Sequence, residues 1–132
     1  MTDIKRKHSK QREAIRTHLM GRCDHPTADD IYQSLRLTQP RLSLGTVYRN
    51  LSLLAELGDI QRITTGDGRE HFDGNPRPHD HFLCRKCGAV KDIPGTERAP
   101  EDPCEIPGFS GLITDKTILY GGYCQSCRPE LS

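Results

Sequence analysis

Ser43-Leu44-Gly45-Thr46-Val47-Tyr48-Arg49-Asn50-Leu51-Ser52-Leu53-Leu54-Ala55-Glu56-Leu57-Gly58 is the stretch that decides the fold. Ser43 offers a side-chain oxygen to the first unbonded amides of a helix, and Gly58 is suited to end one. Between them Val47, Leu51, Leu54 and Leu57 recur at helical spacing and predict a buried stripe. Thr46, Arg49 and Ser52 fall on the opposite side, with Tyr48 at its edge. An ordinary amphipathic helix explains the stripe but not that choice of outer residues. Upstream, the stretch from His25 to Leu35 predicts a shorter helix. Thr27 caps it, Asp29 and Asp30 complement its positive end, and Ile31 and Leu35 face inward. Helix, turn, and a further helix with Thr, Tyr and Arg outward is the helix-turn-helix pattern.

Working outward, Ser9 to Gly21 predicts another helix, capped by Ser9, with Ile15 and Leu19 inward and Gly21 at its end. His8 and His18 read as surface residues, and His25 as a loop residue ahead of the Thr27 cap. On the other side, Asp59 to Ile63 and Arg69 to Asp73 alternate about Gly66-Asp67-Gly68, which predicts a β-hairpin. A hairpin behind a recognition helix is the wing of a winged helix. Asn75-Pro76-Arg77-Pro78 reads as a stiff hinge. The expected boundary therefore falls near Asp73, with a winged helix over 1–73 and a second segment over 74–132.

The second domain opens on His79-Asp80-His81-Phe82-Leu83-Cys84-Arg85-Lys86-Cys87-Gly88. Cys84-x-x-Cys87, with Gly88 easing the turn behind it, pairs with Cys124-x-x-Cys127 near the end. Two such pairs form the four-thiolate field that zinc prefers at a structural site. Disulfides are the competing reading. The opening Met1-Thr2-Asp3-Ile4-Lys5-Arg6 lacks an apolar signal region, so a reducing cytoplasm is expected, where paired C-x-x-C favours metal. His79 and His81 are two apart and would leave one face of a strand, with Asp92 on the return strand. Such nitrogen and oxygen ligands suit Fe²⁺, Mn²⁺, Ni²⁺ or Zn²⁺ at a separate, more exchangeable site.

The 132 residues carry few aromatics, no Trp and a net charge of +1, with a mean hydropathy of −0.69. A modest core of this kind leans on metal or dimerisation. There is no apolar run of transmembrane length, which leaves no membrane partner to expect. Charge is divided: Lys5, Arg6, Lys7, Lys10, Arg12, Arg16 and Arg22 crowd the front, while Glu97, Glu101, Asp102 and Glu105 sit behind. The basic end faces a polyanion. Residues 93–108 hold four prolines and exclude a long helix. Phe109 to Thr114 and Thr117 to Tyr123 predict two strands, the second delivering Cys124 and Cys127. Cys104 lacks partner spacing and reads as a free thiol.

These motifs together resemble the ferric uptake regulator (Fur) family, most closely its peroxide-sensing PerR branch. The resemblance rests on His25-Pro26-Thr27-Ala28-Asp29-Asp30-Ile31-Tyr32, Ser43 to Leu51, Phe72-Asp73, His79 to Gly88, and Tyr123-Cys124-x-x-Cys127. It runs from about Ser9 to Cys127 and implies an α+β fold: an N-terminal winged helix-turn-helix followed by a small α/β zinc-containing dimerisation domain. It places structural zinc on Cys84, Cys87, Cys124 and Cys127. It also implies a regulatory Fe²⁺ or Mn²⁺ on His25, Asp73, His79, His81 and Asp92, with His25 and His79 sensitive to oxidation. Aspartate at both carboxylate positions is more like peroxide sensors than iron sensors. Arg49 in the recognition helix is more like the iron-uptake type. Against the family, the N-terminus is expected to be shorter than usual, lacking most or all of the first helix. The last strand, Thr117 to Tyr123, offers no His, and the Pro-rich stretch replaces a helix that usually helps the dimer.

What the resemblance implies is a cytoplasmic homodimer that represses transcription from a pseudo-palindromic double-stranded DNA operator and senses peroxide through iron-catalysed oxidation of ligand histidines. Lys5, Lys10, Arg12, Thr46, Tyr48 and Arg49 are the expected DNA contacts. A regulator of iron, zinc or manganese availability is the nearest alternative. A hydrolytic metalloenzyme is a more distant one, because five ligands leave few open positions and no substrate pocket is signalled. A zinc-stapled interaction module without metal sensing is the third.

Overall fold

The computed structural model describes residues 2–129, with side chains from Lys10 onward. The chain divides into two compact units, Met1–Pro76 and Arg77–Ser132, parting within the Asn75 to Pro78 segment.

The first unit holds helices α1 (Thr2–Leu19), α2 (Ala28–Leu35) and α3 (Leu44–Glu56), then strands β1 (Gln61–Thr64) and β2 (Glu70–Asp73). Ile15 and Leu19 of α1, Ile31 of α2, Val47, Leu51 and Leu54 of α3, and Phe72 of β2 form one buried cluster. Each such side chain stabilises the unit by about 1.5–3 kcal/mol relative to exposure. Thr27 and Ser43 cap α2 and α3 by accepting from the Asp30 and Thr46 amides, and Asp30 returns a bond to the Thr27 amide. Strands β1 and β2 pair antiparallel, Gln61 opposite Asp73 and Thr64 opposite Glu70.

Two expectations for this unit are corrected. Helix α1 begins at Thr2, so Ser9 lies inside it and is not its cap. No Gly or Pro interrupts residues 2–8, so nothing in the chain halts the helix at Ser9. Leu57 is 62% exposed and leaves the core stripe. It is the C-cap residue of α3, and the chain turns away there through Gly58. Leu35 faces inward as expected, half-buried and packed against the core cluster.

The second unit is a small sheet of β3 (His81–Cys84), β4 (Val90–Asp92) and β5 (Leu119–Gly122) in the order β4-β3-β5. β3 runs antiparallel to β4, with His81 opposite Asp92, and parallel to β5, with Cys84 opposite Gly122. The strand expected over 109–114 is absent; that stretch contributes only a bridge between Cys104 and Ile113. Pro107 and the tight turn from Ile106 to Phe109 explain why no longer ladder forms there. No helix lies between residues 93 and 108, as the prolines require. Among the described residues the helices belong to the first unit and sheets to both, which is an α+β composition. No helix of the described residues is long and apolar enough to cross a membrane.

Candidate metal centres

The Cys84-x-x-Cys87 turn sits between β3 and β4. Gly88 closes it at φ 77°, and its amide donates to the Cys84 carbonyl. A side chain would strain that conformation, so the glycine there is a geometric requirement. β5 runs parallel beside β3 and delivers the second pair: the Cys124 amide points at Cys84 Sγ at 3.5 Å, as does the Cys87 amide. The four sulfurs of Cys84, Cys87, Cys124 and Cys127 lie within 4.8 Å of one another. A tetrahedral ion with thiolates at about 2.3 Å sets its sulfurs about 3.8 Å apart; Cys87 and Cys124 Sγ are 3.8 Å apart. The six cysteines stand as free thiols, and the four of this cluster face one another as a ligand set.

Electrostatics favour anionic sulfur at this turn. The Cys87 and Cys124 amides hold the Cys84 thiol well below its ordinary range, at about 5. The Cys124 thiol is also lowered, chiefly by its bond with Cys127. Cys127 is pushed up to about 12 because it donates to that neighbour. A thiol shifted toward thiolate at Cys84 is what a thiophilic cation completes.

The same unit carries the nitrogen and oxygen donors. His79 precedes β3 and His81 opens it; both are buried, with ring centroids 4.3 Å apart. His79 Nδ1 lies 2.7 Å from the Arg77 carbonyl, an atom that can only accept, so Nδ1 carries the hydrogen. That leaves Nε2 toward Asp92 Oδ1 at 2.8 Å, with His81 Nε2 at 3.4 Å from the same oxygen. A neutral imidazole nitrogen and a carboxylate are both acceptors, so a proton or a metal cation must lie between them. Metal-binding histidines commonly carry such a carbonyl partner on the other nitrogen. Asp80, between the histidines, is buried. It accepts from Arg98 Nη1 at 2.7 Å, and its amide donates to Thr96 Oγ1.

The first unit holds the other two expected ligands. His25 and Asp73 are both buried, with His25 Nδ1 3.7 Å from Asp73 Oδ2. Asp73 Oδ1 accepts from the Asn75 amide at 2.9 Å. A buried carboxylate beside an imidazole is a pair that a cation would stabilise. The five expected ligands thus fall as two in one unit and three in the other.

The expected DNA contacts lie on the first unit. Lys10 and Arg49 are exposed and Tyr48 is 47% exposed. Arg49 Nη2 donates to Thr46 Oγ1 at 3.1 Å, which groups two of these residues at the start of α3. Arg12 is half-buried, and its Nε donates to Asn50 Oδ1, tying α1 to α3. The side chains of Lys5 and His8 lie outside the described residues. His18 is half-buried rather than a surface residue. Sequence reading passed over His71, whose Nδ1 contacts the His25 carbonyl; its two-residue spacing from Asp73 on one strand was the available signal. It also passed over Cys23, an exposed thiol, and over Asp80 with Arg98.

The family model described as Ferric uptake regulator family matches residues 4–109. The chain belongs to the Fur family. Among curated proteins, the peroxide-responsive repressor PerR of Staphylococcus aureus (strain USA300) is 40% identical over 125 residues, covering 91% of this chain and 81% of that protein. The peroxide operon regulator of Bacillus subtilis (strain 168) is 35% identical over 122 residues, covering 91% and 83%. Among solved structures, the Campylobacter jejuni peroxide stress regulator superposes with a TM-score of 0.72 at 23% identity, covering 96% of this chain and 95% of that one. The Helicobacter pylori ferric uptake regulator gives 0.69 at 20% identity, covering 93% and 83%. The α+β architecture described above is therefore the Fur-family fold, carrying a four-thiol cluster and His/Asp donors.

Proposed function

We propose that this Fur-family protein is a cytoplasmic, metal-dependent transcriptional repressor that senses peroxide, a regulator rather than an enzyme. The observation that carries the reading is the separation of two donor chemistries. Thiolates gather at Cys84, Cys87, Cys124 and Cys127, while His79, His81 and Asp92 meet without sulfur. The first set suits permanent zinc, and the second suits an exchangeable Fe²⁺ or Mn²⁺. The likeness to peroxide-responsive repressors supports the signal.

In this reading residues 1–73 are a winged helix-turn-helix, with α3 in the major groove and the β1–β2 hairpin as wing. Arg49, Tyr48 and Thr46 face bases, and Lys5, Lys10 and Arg12 lie near phosphates. Residues 74–132 are the metal-binding dimerisation domain, and a twofold homodimer reads a pseudo-palindromic operator. One regulatory ion takes His25 and Asp73 from the first unit and His79, His81 and Asp92 from the second. It shifts the arrangement of the two units only by its differential affinity for one of them, and cross-unit ligands supply that difference. Bound Fe²⁺ would supply peroxide-reducing chemistry at the site. Hydrogen peroxide would give one oxygen to the His25 or His79 ring and leave its other oxygen as water, and the oxidised imidazole would be a poorer ligand.

Peptide mass mapping after dilute peroxide, with Fe²⁺ and separately with Mn²⁺, tests this. One added oxygen on His25 or His79 with iron alone is the expected result. Oxidation confined to cysteines would replace it with thiol sensing. No oxidation, with operator binding set only by metal supply, would favour a regulator of metal availability.

A further inference from the structure

His71 supplies none of the five ligands, yet it grips one of them. His25 has φ 46°, the one positive φ at a non-glycine among the described residues. Side chains disfavour that left-handed conformation, so neighbouring contacts must hold it. The His25 carbonyl lies 2.7 Å from His71 Nδ1, and a carbonyl oxygen only accepts, so Nδ1–H donates. The next residue of the strand continues the grip: the Phe72 amide donates to the Pro26 carbonyl at 3.0 Å. Thr27 and His71 complete it as a bridge. Residues 25–27 are thus latched to β2, and the strand's following residue is Asp73. Phe72 acts through its backbone, which any residue provides. The His71 bond depends on its side chain.

His71 and Asp73 alternate to the same face of β2. The face that fixes the His25 peptide therefore also carries the carboxylate 3.7 Å from the His25 ring. His71 further lines an open cleft of about 560 Å³ with Thr27, Tyr48 and Arg69. The imidazole thus ties the ligand loop to the hairpin, and the cleft it lines reaches the exposed face of α3 at Tyr48.

We propose that His71 is a positioning residue for the regulatory metal. Its Nδ1–H holds the left-handed turn at His25 and so sets the His25 ring beside Asp73 before an ion arrives. This rests on the reading of His25 as a ligand. Without the bond, His25 relaxes to an ordinary backbone conformation, and the ion must restore the turn on binding. Outer partners of metal ligands typically alter affinity about 10–100-fold, and the lower end applies to a bond made to backbone.

The test is a Mn²⁺ titration by calorimetry on the full-length, zinc-loaded protein, with Tm and zinc content measured for every variant. His71→Leu should weaken Mn²⁺ about tenfold, and His71→Gln, whose amide can donate to the same carbonyl, should recover most of that. In a His25→Ala background, adding His71→Leu should change nothing further. If His71→Leu lowers Tm, His71→Thr replaces it, being a good strand former too short to reach the carbonyl. Wild-type affinity in the Leu or Thr variant would overturn the proposal, as would an equal loss with and without His25. An unchanged affinity in His25→Ala alone would instead overturn the ligand reading on which it stands.

Discussion

Asp92 stands directly across the β3–β4 pair from His81, and one of its carboxylate oxygens lies 3.4 Å from His81 Nε2 and 2.8 Å from His79 Nε2. The antiparallel register brings one anion to two imidazoles without any long-range packing. Asp92→Asn keeps an oxygen but removes the charge, and should weaken the exchangeable metal by at least the ~10-fold that outer partners alone supply. Zinc should stay bound. Cys127→Ser should do the reverse on the tight site, where binding is worth on the order of 10 kcal/mol or more. Metal analysis after dialysis separates the two; joint loss of both metals in Asp92→Asn would contradict two independent sites.

Asp80, which lies between the same two histidines in the chain, pairs with Arg98, and its side chain is 10% exposed against 26% for Arg98. The Arg98 amide also donates to the Pro78 carbonyl. Arg98→Ala strands a buried carboxylate, and should cost about 1–3 kcal/mol, less than for a fully buried pair. Chemical denaturation of the zinc-loaded protein measures this. An unchanged midpoint would show that water replaces the guanidinium freely.

What was legible in the sequence follows from how local each feature is. Val47, Leu51 and Leu54 were readable because a helix repeats every few residues, and the stripe failed only at Leu57, beyond the last turn. His81 opposite Asp92 was readable because the Cys84-x-x-Cys87-Gly88 turn fixes the register of the flanking strands. The strand expected over 109–114 failed because pairing partners, not propensity, decide a strand, and there only Cys104 meets Ile113. The left-handed turn at His25 was beyond reach. It is held by His71, which is distant in sequence; the spacing of His71 from Asp73 marks a shared strand face but not the contact with the His25 carbonyl.

His18 gives a pH test away from the ligands. Its pKa is lowered, first by burial and then by the Arg22 charge, with Asp24 opposing. A histidine with a depressed folded pKa contributes stability that is present above its unfolded value of 6.5 and lost as pH falls through the folded value. The His18 ring proton should therefore titrate below that value in NMR spectra, and His18→Gln should flatten the acid limb of the stability curve slightly. A raised His18 pKa would reverse the sign and refute the argument.

On DNA, Arg49→Ala should cost about 1–3 kcal/mol on the operator and little on random sequence if the guanidinium spans a base edge. Lys10→Ala should weaken both alike and lower the salt slope. Fluorescence anisotropy across a salt series distinguishes them. Equal loss on both DNAs for Arg49→Ala would move it to the phosphates.

Gly74 follows Asp73 and packs against the end of α1. A Cβ built there would sit 2.6 Å from the Leu19 carbonyl oxygen and 2.8 Å from its carbon, which are backbone atoms that cannot rotate aside. Gly74→Ala must therefore push β2 away from α1, at about 1–3 kcal/mol for an overpacked site. Asp73 moves with it, so Mn²⁺ affinity should fall together with Tm. Gly45→Ala is the matched control. Its Cβ would meet only the flexible Arg49 and Ser43 side chains, at 3.6 and 3.9 Å, and a helical Ala gains up to about 1 kcal/mol over Gly. Gly45→Ala should leave Tm unchanged or higher with Mn²⁺ binding intact. If Gly74→Ala matched that control in both measurements, the close approach at Leu19 would not be what sets the position of Asp73.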